Sequence, residues 1–268
     1  MISDYKQNVL LEVDSINEME LALTAFNSKR ALSPVDKDLQ FKKVGDCRLL
    51  IDTKSPSSIY YNRIKGFGLN DLNKIDEILA NYDSEQITPC FDLTPNNINM
   101  EVAKTLMSKG FYCAEQLVFL EIAPHFDEYE NNKEIKLVKV TKENVVEFLH
   151  LIARSNEMEI VDELINRKAE YFVEPIFQNY IAYIGQEAVG MGSLFIHEQK
   201  GYIANDFTFP SHRGKGVQKT LLHHRIKAAK EMGLTKIYTD AEFGSASHNN
   251  MLKVGFRTIF INSFWMKD

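Results

Sequence analysis

The chain has no apolar run near the 18 or so residues that a membrane-spanning helix needs, so no membrane partner is expected. It also lacks a basic excess: 31 Lys and Arg against 37 Asp and Glu leave a formal net charge of −6. Nucleic-acid binders usually carry a clear basic stripe, which argues against nucleic acid as the partner. Cysteine is scarce. Cys47, Cys90 and Cys113 are odd in number and scattered, without the spacing of metal ligands. They read as reduced thiols, and no metal site is expected. The opening MISDYKQN has neither a basic stretch nor an apolar core, so no secretory signal is expected and the reading is cytoplasmic. No long biased segment interrupts a composition that is 44% hydrophobic and 25% charged. At 268 residues the chain suits one large domain or two of about 130 residues.

What is present is a faint internal repeat. Residues 97–112, NINMEVAKTLMSKGFY, and residues 248–257, HNNMLKVGFR, each read as a helix running into Gly-Phe and then a closing strand. The glycine suits the residue just past a helix, where a left-handed backbone costs it little. A turn at Gly66–Gly68 precedes the first Gly-Phe much as the turn at Gly214–Gly216 precedes the second. Helix, strand and helix fill both intervals: Leu69–Tyr82 then Ile87–Leu93, and Gln218–Met232 then Lys236–Ala241. Pro124–Lys133 is polar and acidic, the natural linker. The expectation is an α/β (α+β) chain of two related domains, 1–125 and 134–268, packed together.

The second half is the more complete. Ile135–Val140 alternates as a strand, and Thr141 is placed to cap a helix whose stripe is Val145, Phe148, Leu149 and Ile152. A helix around Val161–Phe172, a hairpin of Tyr180–Ile184 and Val189–Ile196, and a strand Tyr202–Phe209 follow. That strand feeds residues 207–222, FTFPSHRGKGVQKTLL. Gly214 and Gly216 let the backbone curl its N–H groups toward an anion, and the next helix presents unpaired N–H groups and partial positive charge. Arg213, Lys215 and Lys219 add full charges. The dipole alone contributes roughly 0.3–1 kcal/mol, so charges and direct N–H bonds must carry a phosphate site. The first half contains the same string, Arg63-Ile-Lys-Gly66-Phe-Gly68, but its helix opens on Asn70, Asp71, Asp76 and Glu77. Asn70 or Asp71 can cap that terminus internally, and the carboxylates repel phosphate, so one anion site is expected, near Gly216.

This order of elements, with Pro210-Ser-His-Arg213-Gly-Lys-Gly216-Val217 and Ser247-His-Asn249-Asn250…Gly255-Phe256, resembles the GCN5-related N-acetyltransferase (GNAT) family. The resemblance covers most of 134–268, and the first half in degenerate form, as in tandem members of the family. Each domain is then expected to be a mixed, mostly antiparallel sheet flanked by helices. The resemblance implies acetyl-CoA as co-substrate and an amine acceptor on a small molecule or peptide. It puts the pyrophosphate on backbone N–H groups of Arg213, Gly214, Lys215, Gly216, Val217 and Gln218, the pantetheine beside Phe207, Thr208 and Phe209, and Asn250 against the cofactor. The departures are Gln218 where a small residue is usual and Met251 where many members carry a thiolate-protonating tyrosine. The departure leaves three alternatives: another group as acid, unassisted departure of the thiolate, or poor catalysis.

Acetyl transfer needs a neutral amine, a polarised carbonyl and a proton acceptor. Asp206 is the candidate base and His248 the candidate for proton transfer. Alternation along Tyr202–Phe209 puts Asp206 and Thr208 on one face, opposite Asn205 and Phe207. Tyr60, Tyr61, Tyr171, Phe172 and Phe177 are candidate acceptor-pocket residues, and the acidic run Glu157–Glu163 reads as a solvated face. Two other readings stand beside catalysis: a non-catalytic acyl-CoA sensor, supported by Met251, and a tRNA-dependent aminoacyl transferase, for which the sequence shows no basic channel.

Overall fold

In the computed structural model, which describes residues 2–83, 85–126, 129 and 132–267, the two halves share one eleven-stranded sheet. The chain begins with a long helix, α1 (Ile2–Arg30), then β1 (Leu39–Val44), β2 (Cys47–Asp52) and β3 (Arg63–Lys65). After a 3-10 turn at Leu69–Lys74 come α2 (Ile75–Asp83), β4 (Cys90–Leu93), α3 (Met100–Ser108) and β5 (Tyr112–Ile122). The second half runs β6 (Ile135–Lys139), α4 (Val145–Ser155), α5 (Asp162–Lys168), β7 (Phe177–Ile184), β8 (Glu187–His197) and β9 (Lys200–Thr208). It ends with α6 (Val217–Glu231), β10 (Lys236–Glu242), α7 (Ala246–Val254) and β11 (Arg257–Met266). The expected linker falls between β5 and β6, where residues 127, 128, 130 and 131 lie outside the described residues.

The strand order is β1-β2-β3-β4-β11-β5-β10-β9-β8-β7-β6, so each half closes on the other's last strand. β11 sits between β4 and β5, and β5 between β11 and β10, all antiparallel. Only β3·β4 and β9·β10 are parallel, one such pair per half. The mostly antiparallel sheet flanked by helices is the fold class read from the sequence. The sequence reading passed over α1 and the β1–β2 hairpin. It also expected Thr141 as cap, whereas α4 starts after Asn144 and no side chain caps it.

Helix α1 bridges the halves. Its stripe Val13, Ile16, Met19, Leu23 and Phe26 recurs at three- and four-residue spacing and packs into the second half's core with Phe177, Phe195, Tyr202 and Tyr238. Each such buried side chain contributes about 1.5–3 kcal/mol of transfer free energy. Glu12 and Ser15 bond Lys236, Tyr238 and Lys200 of the second half, while Glu20 and Thr24 turn to the first. Glu20 accepts from Lys65, which also bonds Asp92, and Arg63 donates to Thr24 and to Asp92. Asn262 of β11 completes this buried group with a 2.7 Å bond to Asp92. On the opposite face Leu222, Ile226 and Ala229 of α6 and Met251 and Val254 of α7 cover Val118, Leu120, Ile203 and Ile237.

Because the closing strands are exchanged, the two halves are expected to unfold together. Scanning calorimetry should give one transition with equal calorimetric and van't Hoff enthalpies; two resolved transitions would mean that the halves are independent.

Candidate acetyl-CoA site

Strand β9 stays paired to β10 only through Tyr202↔Tyr238, and the two diverge beyond it. Phe209 donates to Val189 of β8, so by alternation the Thr208 amide faces the open edge toward β10. A groove of about 530 Å³ follows this edge, lined by Thr208, Arg213, Gly216, Gln218, Ser247 and Asn250 among others.

Gly214 and Gly216 both adopt left-handed backbone, at φ +79° and +85°, and a Cβ at either would meet nothing within 4 Å. Glycine is required there by conformation, since an L residue costs about 1–2 kcal/mol in that region, and the space above the loop is open. Arg213 N donates to Pro210 O, but the amides of the six residues Gly214 to Lys219 have no acceptor among the described residues. Six such amides, ending at the N-terminus of a fifteen-residue helix, form an anion cradle. Gln218, the bulky departure from the family pattern, bridges α6 to α7. Its Nε2 donates to Ser247 Oγ at 3.0 Å, and its Oε1 accepts from Asn250 Nδ2 at 2.7 Å. Asn250 is thereby fixed at the groove wall.

The equivalent loop of the first half differs at each point. Gly66 keeps φ +83°, but Gly68 is extended at φ −153° and a 3-10 turn replaces the first α-helical turn. Asp71 is buried with Oδ1 accepting from Asp46 N at 3.1 Å, so its carboxylate serves the β1–β2 turn and no side chain caps the 3-10 turn.

Asp206 and Thr208 do share a face, opposite Asn205 and Phe207. A bulge sets which face: Asn205 has φ +51°, and the β8–β9 register slips between Ser193↔Ala204 and Met191↔Phe207. Asn205 turns toward α1, with Oδ1 accepting from Arg30 and Nδ2 donating to Ser193 Oγ. Asp206 turns toward α6, where Oδ1 accepts from the fully buried Arg225 at 2.5 Å. Burial raises the Asp206 pKa and Arg225 opposes it, leaving it above the ordinary carboxylate value. Gly192 lies opposite the bulge because a Cβ there would stand 2.8 Å from the Arg225 guanidinium.

His248 is buried at 7% exposure, one helical turn before Met251, which packs in the core. Its Nδ1 accepts from Gly244 N at 3.1 Å, so in the neutral ring the proton sits on Nε2, which is buried without a partner. His212 lies between Ser211 and Glu187, and His224 packs edge-on against Tyr180. Of the aromatic candidates, Phe172 and Phe177 are core, while Tyr60 lines a second cavity. Glu157, Glu159, Asp162 and Glu163 are exposed. Burial pushes the Cys90 thiol up to about 12, away from nucleophile behaviour.

The second cavity was not foreseen. It holds about 190 Å³ beneath α1 at the seam, on the face of the sheet away from α6, and its wall includes Glu20, Tyr60, Arg63, Glu115, Tyr202 and Asp240. Asp240 stands just past the last β9–β10 pair and accepts a 2.6 Å bond from Tyr202 Oη. Burial raises the Asp240 pKa, with the Tyr202 bond and Arg63 pulling the other way. In sequence Asp240 is one acidic residue at a strand end; only the divergence of β9 from β10 distinguishes it.

Residues 145–256 match the family model described as the acetyltransferase (GNAT) family. Those residues form a GNAT-family domain. A GCN5-related N-acetyltransferase from Kribbella flavida superposes with a TM-score of 0.66 at 14% identity, covering 85% of this chain and 89% of that one. A functionally unknown conserved protein from Staphylococcus epidermidis ATCC 12228 gives 0.64 at 12%, covering 86% and 94%. A tandem GNAT protein from the clavulanic acid biosynthesis pathway gives 0.58 at 12%, covering 93% and 94%, so its likeness spans both halves. At these identities the likeness is one of fold. No curated protein matches the sequence. Among the described residues no helix is long and apolar enough to cross a membrane, and no cluster of His, Cys, Asp or Glu could hold a metal ion.

Asp240→Asn keeps an acceptor for Tyr202 but removes a charge that the fold disfavours. A raised folded-state pKa means that ionisation costs stability as pH rises. The variant is therefore expected to melt higher than the parent above the ordinary aspartate value of 3.8, with the gain vanishing below it. Equal melting temperatures across the whole pH range would refute the burial argument.

Proposed function

We propose that this protein is an acetyl-CoA-dependent N-acetyltransferase with a single cofactor site, at the loop Gly214–Lys219. The row of six unsatisfied amides at the α6 N-terminus carries this reading. The closed-off Asp71 loop supports giving the first half no such site. Acetyl-CoA supplies a thioester whose acetyl carbon is open to attack by a neutral amine.

The chain's own groups divide the remaining work. The loop amides, with Arg213, Lys215 and Lys219, hold the pyrophosphate. The open edge of β9 at Thr208 hydrogen-bonds the pantetheine, with Phe207 and Phe209 beside it and Val217, Gln218 and Asn250 completing the wall. Asp240 faces the seam cavity and is the carboxylate we assign to the incoming ammonium group and its proton. That role passes from Asp206, whose ion pair with Arg225 fixes the bulge instead. His248 carries an N–H at Nε2, one turn before Met251 at the family's usual tyrosine position, and we assign that N–H to hydrogen-bonding the departing sulfur.

Calorimetric titration with acetyl-CoA tests the cofactor site. Tight binding is expected in the parent and loss of it in an Arg213→Ala/Gly216→Glu variant. Absence of binding in the parent would remove the reading altogether.

His248→Ala should lower kcat by roughly 100-fold with acetyl-CoA affinity unchanged. An acetyl thioester of a more acidic thiol should recover most of that loss, since such a thiolate leaves without a hydrogen-bond donor. An equal deficit with both thioesters would reduce His248 to a packing residue. The second reading, a non-catalytic acyl-CoA sensor, draws on Met251; it predicts binding without thiol release for any amine.

A further inference from the structure

We propose that the acceptor is an amino-carboxylate whose carboxylate is bound by Arg30 while its amine enters the acidic seam cavity. This deepens the acetyl-transfer reading and rests on it. Arg30 is the last residue of α1, and its guanidinium is half-buried, lying 4.5 Å from the Phe177 ring centroid and 5.3 Å from that of Phe172. Among the described residues no carboxylate pairs with it. Its Nε donates to Asn27 Oδ1 at 2.7 Å and its Nη2 to Asn205 Oδ1 at 3.4 Å, while Nη1 has no partner. Four other half-buried or buried cations behave otherwise. Arg63, Lys65 and Lys236 each meet a carboxylate, as does Arg225 beneath the bulge. Buried charges are normally paired, so one set on aromatic rings between two neutral amides is open to an anion from outside.

Its position is what makes that anion part of an acceptor. Asn205 is two residues before Phe207, beside the diverging edge of β9. Asn27, which orients Arg30, donates through Nδ2 to Tyr60 Oη at 2.7 Å, and Tyr60 lines the cavity that contains Asp240. A continuous polar path thus joins a free cation to a cavity wall with three carboxylates, Glu20, Glu115 and Asp240, and one arginine. One planar guanidinium fork matches a carboxylate. The negative end of α1 beside it disfavours a doubly charged phosphate.

The test measures thiol release from acetyl-CoA with a panel of amino acids, each compared with its own amide and its decarboxylated amine. The free amino acids are expected to show kcat/KM higher by roughly 10- to 100-fold, the scale of one charge-assisted hydrogen-bonded contact. Arg30→Gln should abolish the preference and leave acetyl-CoA affinity unchanged. Asn205→Asp gives the same loss by neutralising Arg30 internally, with the rings and the cation in place; aspartate tolerates the left-handed backbone there. Equal or better turnover of the amides, or a preference that survives both variants, would overturn the carboxylate site and leave acetyl transfer standing. Acetyl-CoA binding without turnover of any amine would sink both.

Discussion

The antiparallel pairing of β5 with β11, from Arg257↔Glu121 to Met266↔Tyr112, is the contact on which the rest of the molecule depends. Each strand is the last of its own half and is hydrogen-bonded into the other's sheet, so neither half has a complete sheet alone. The exchange removes two exposed strand edges at the centre, where unpaired backbone groups would invite association. It also leaves room for a cavity at the seam, beside the point where β9 and β10 part. Helix α1 then covers that seam, its apolar stripe toward the second half and Glu20 and Thr24 toward the first.

The same pseudo-symmetric plan has been filled differently on its two sides. In the second half the turn keeps two left-handed glycines and six free amides. In the first half one glycine is extended, the helix starts as a 3-10 turn and an aspartate is buried beneath it. A carboxylate beside that turn opposes phosphate by charge. Lys65 and Arg63, which could have served an anion there, are held by Glu20 and Asp92. The altered turn and the bridging ion cluster are thus two aspects of one arrangement in the first half.

Much of the second half was legible because its signals are local. Glycines at turns, apolar stripes at helical spacing and the Gly-Phe closure act within a few residues of themselves. The loop around Gly216 belongs to that class. The rest depends on partners distant in sequence. Glu20 and Thr24 interrupt the α1 stripe as read along the chain, yet they are buried because Arg63 and Lys65 come from strand β3 to meet them. Asp240 and Arg30 carry no local mark at all. Asp240 acquires meaning from the parting of two strands, and Arg30 from the absence, among the described residues, of any carboxylate paired with it.

The bulge at Asn205 ties the two sides of the proposed chemistry together. Without the extra residue, Asp206 would follow Tyr202 and Ala204 onto the α1 face, and Asn205 would follow Ile203 toward α6. With it, Asp206 reaches Arg225 and anchors the strand to the cofactor helix, while Asn205 reaches Arg30 on the acceptor side. The Arg225 guanidinium needs the gap left by Gly192, and its Nη1 bond to Ser193 O holds β8 in the slipped register. One inserted residue therefore separates an ion pair with the fully buried Arg225, which sets the backbone that would carry the thioester, from a cation that would read the acceptor. A strand of strict alternation would place both on surfaces where neither finds its partner.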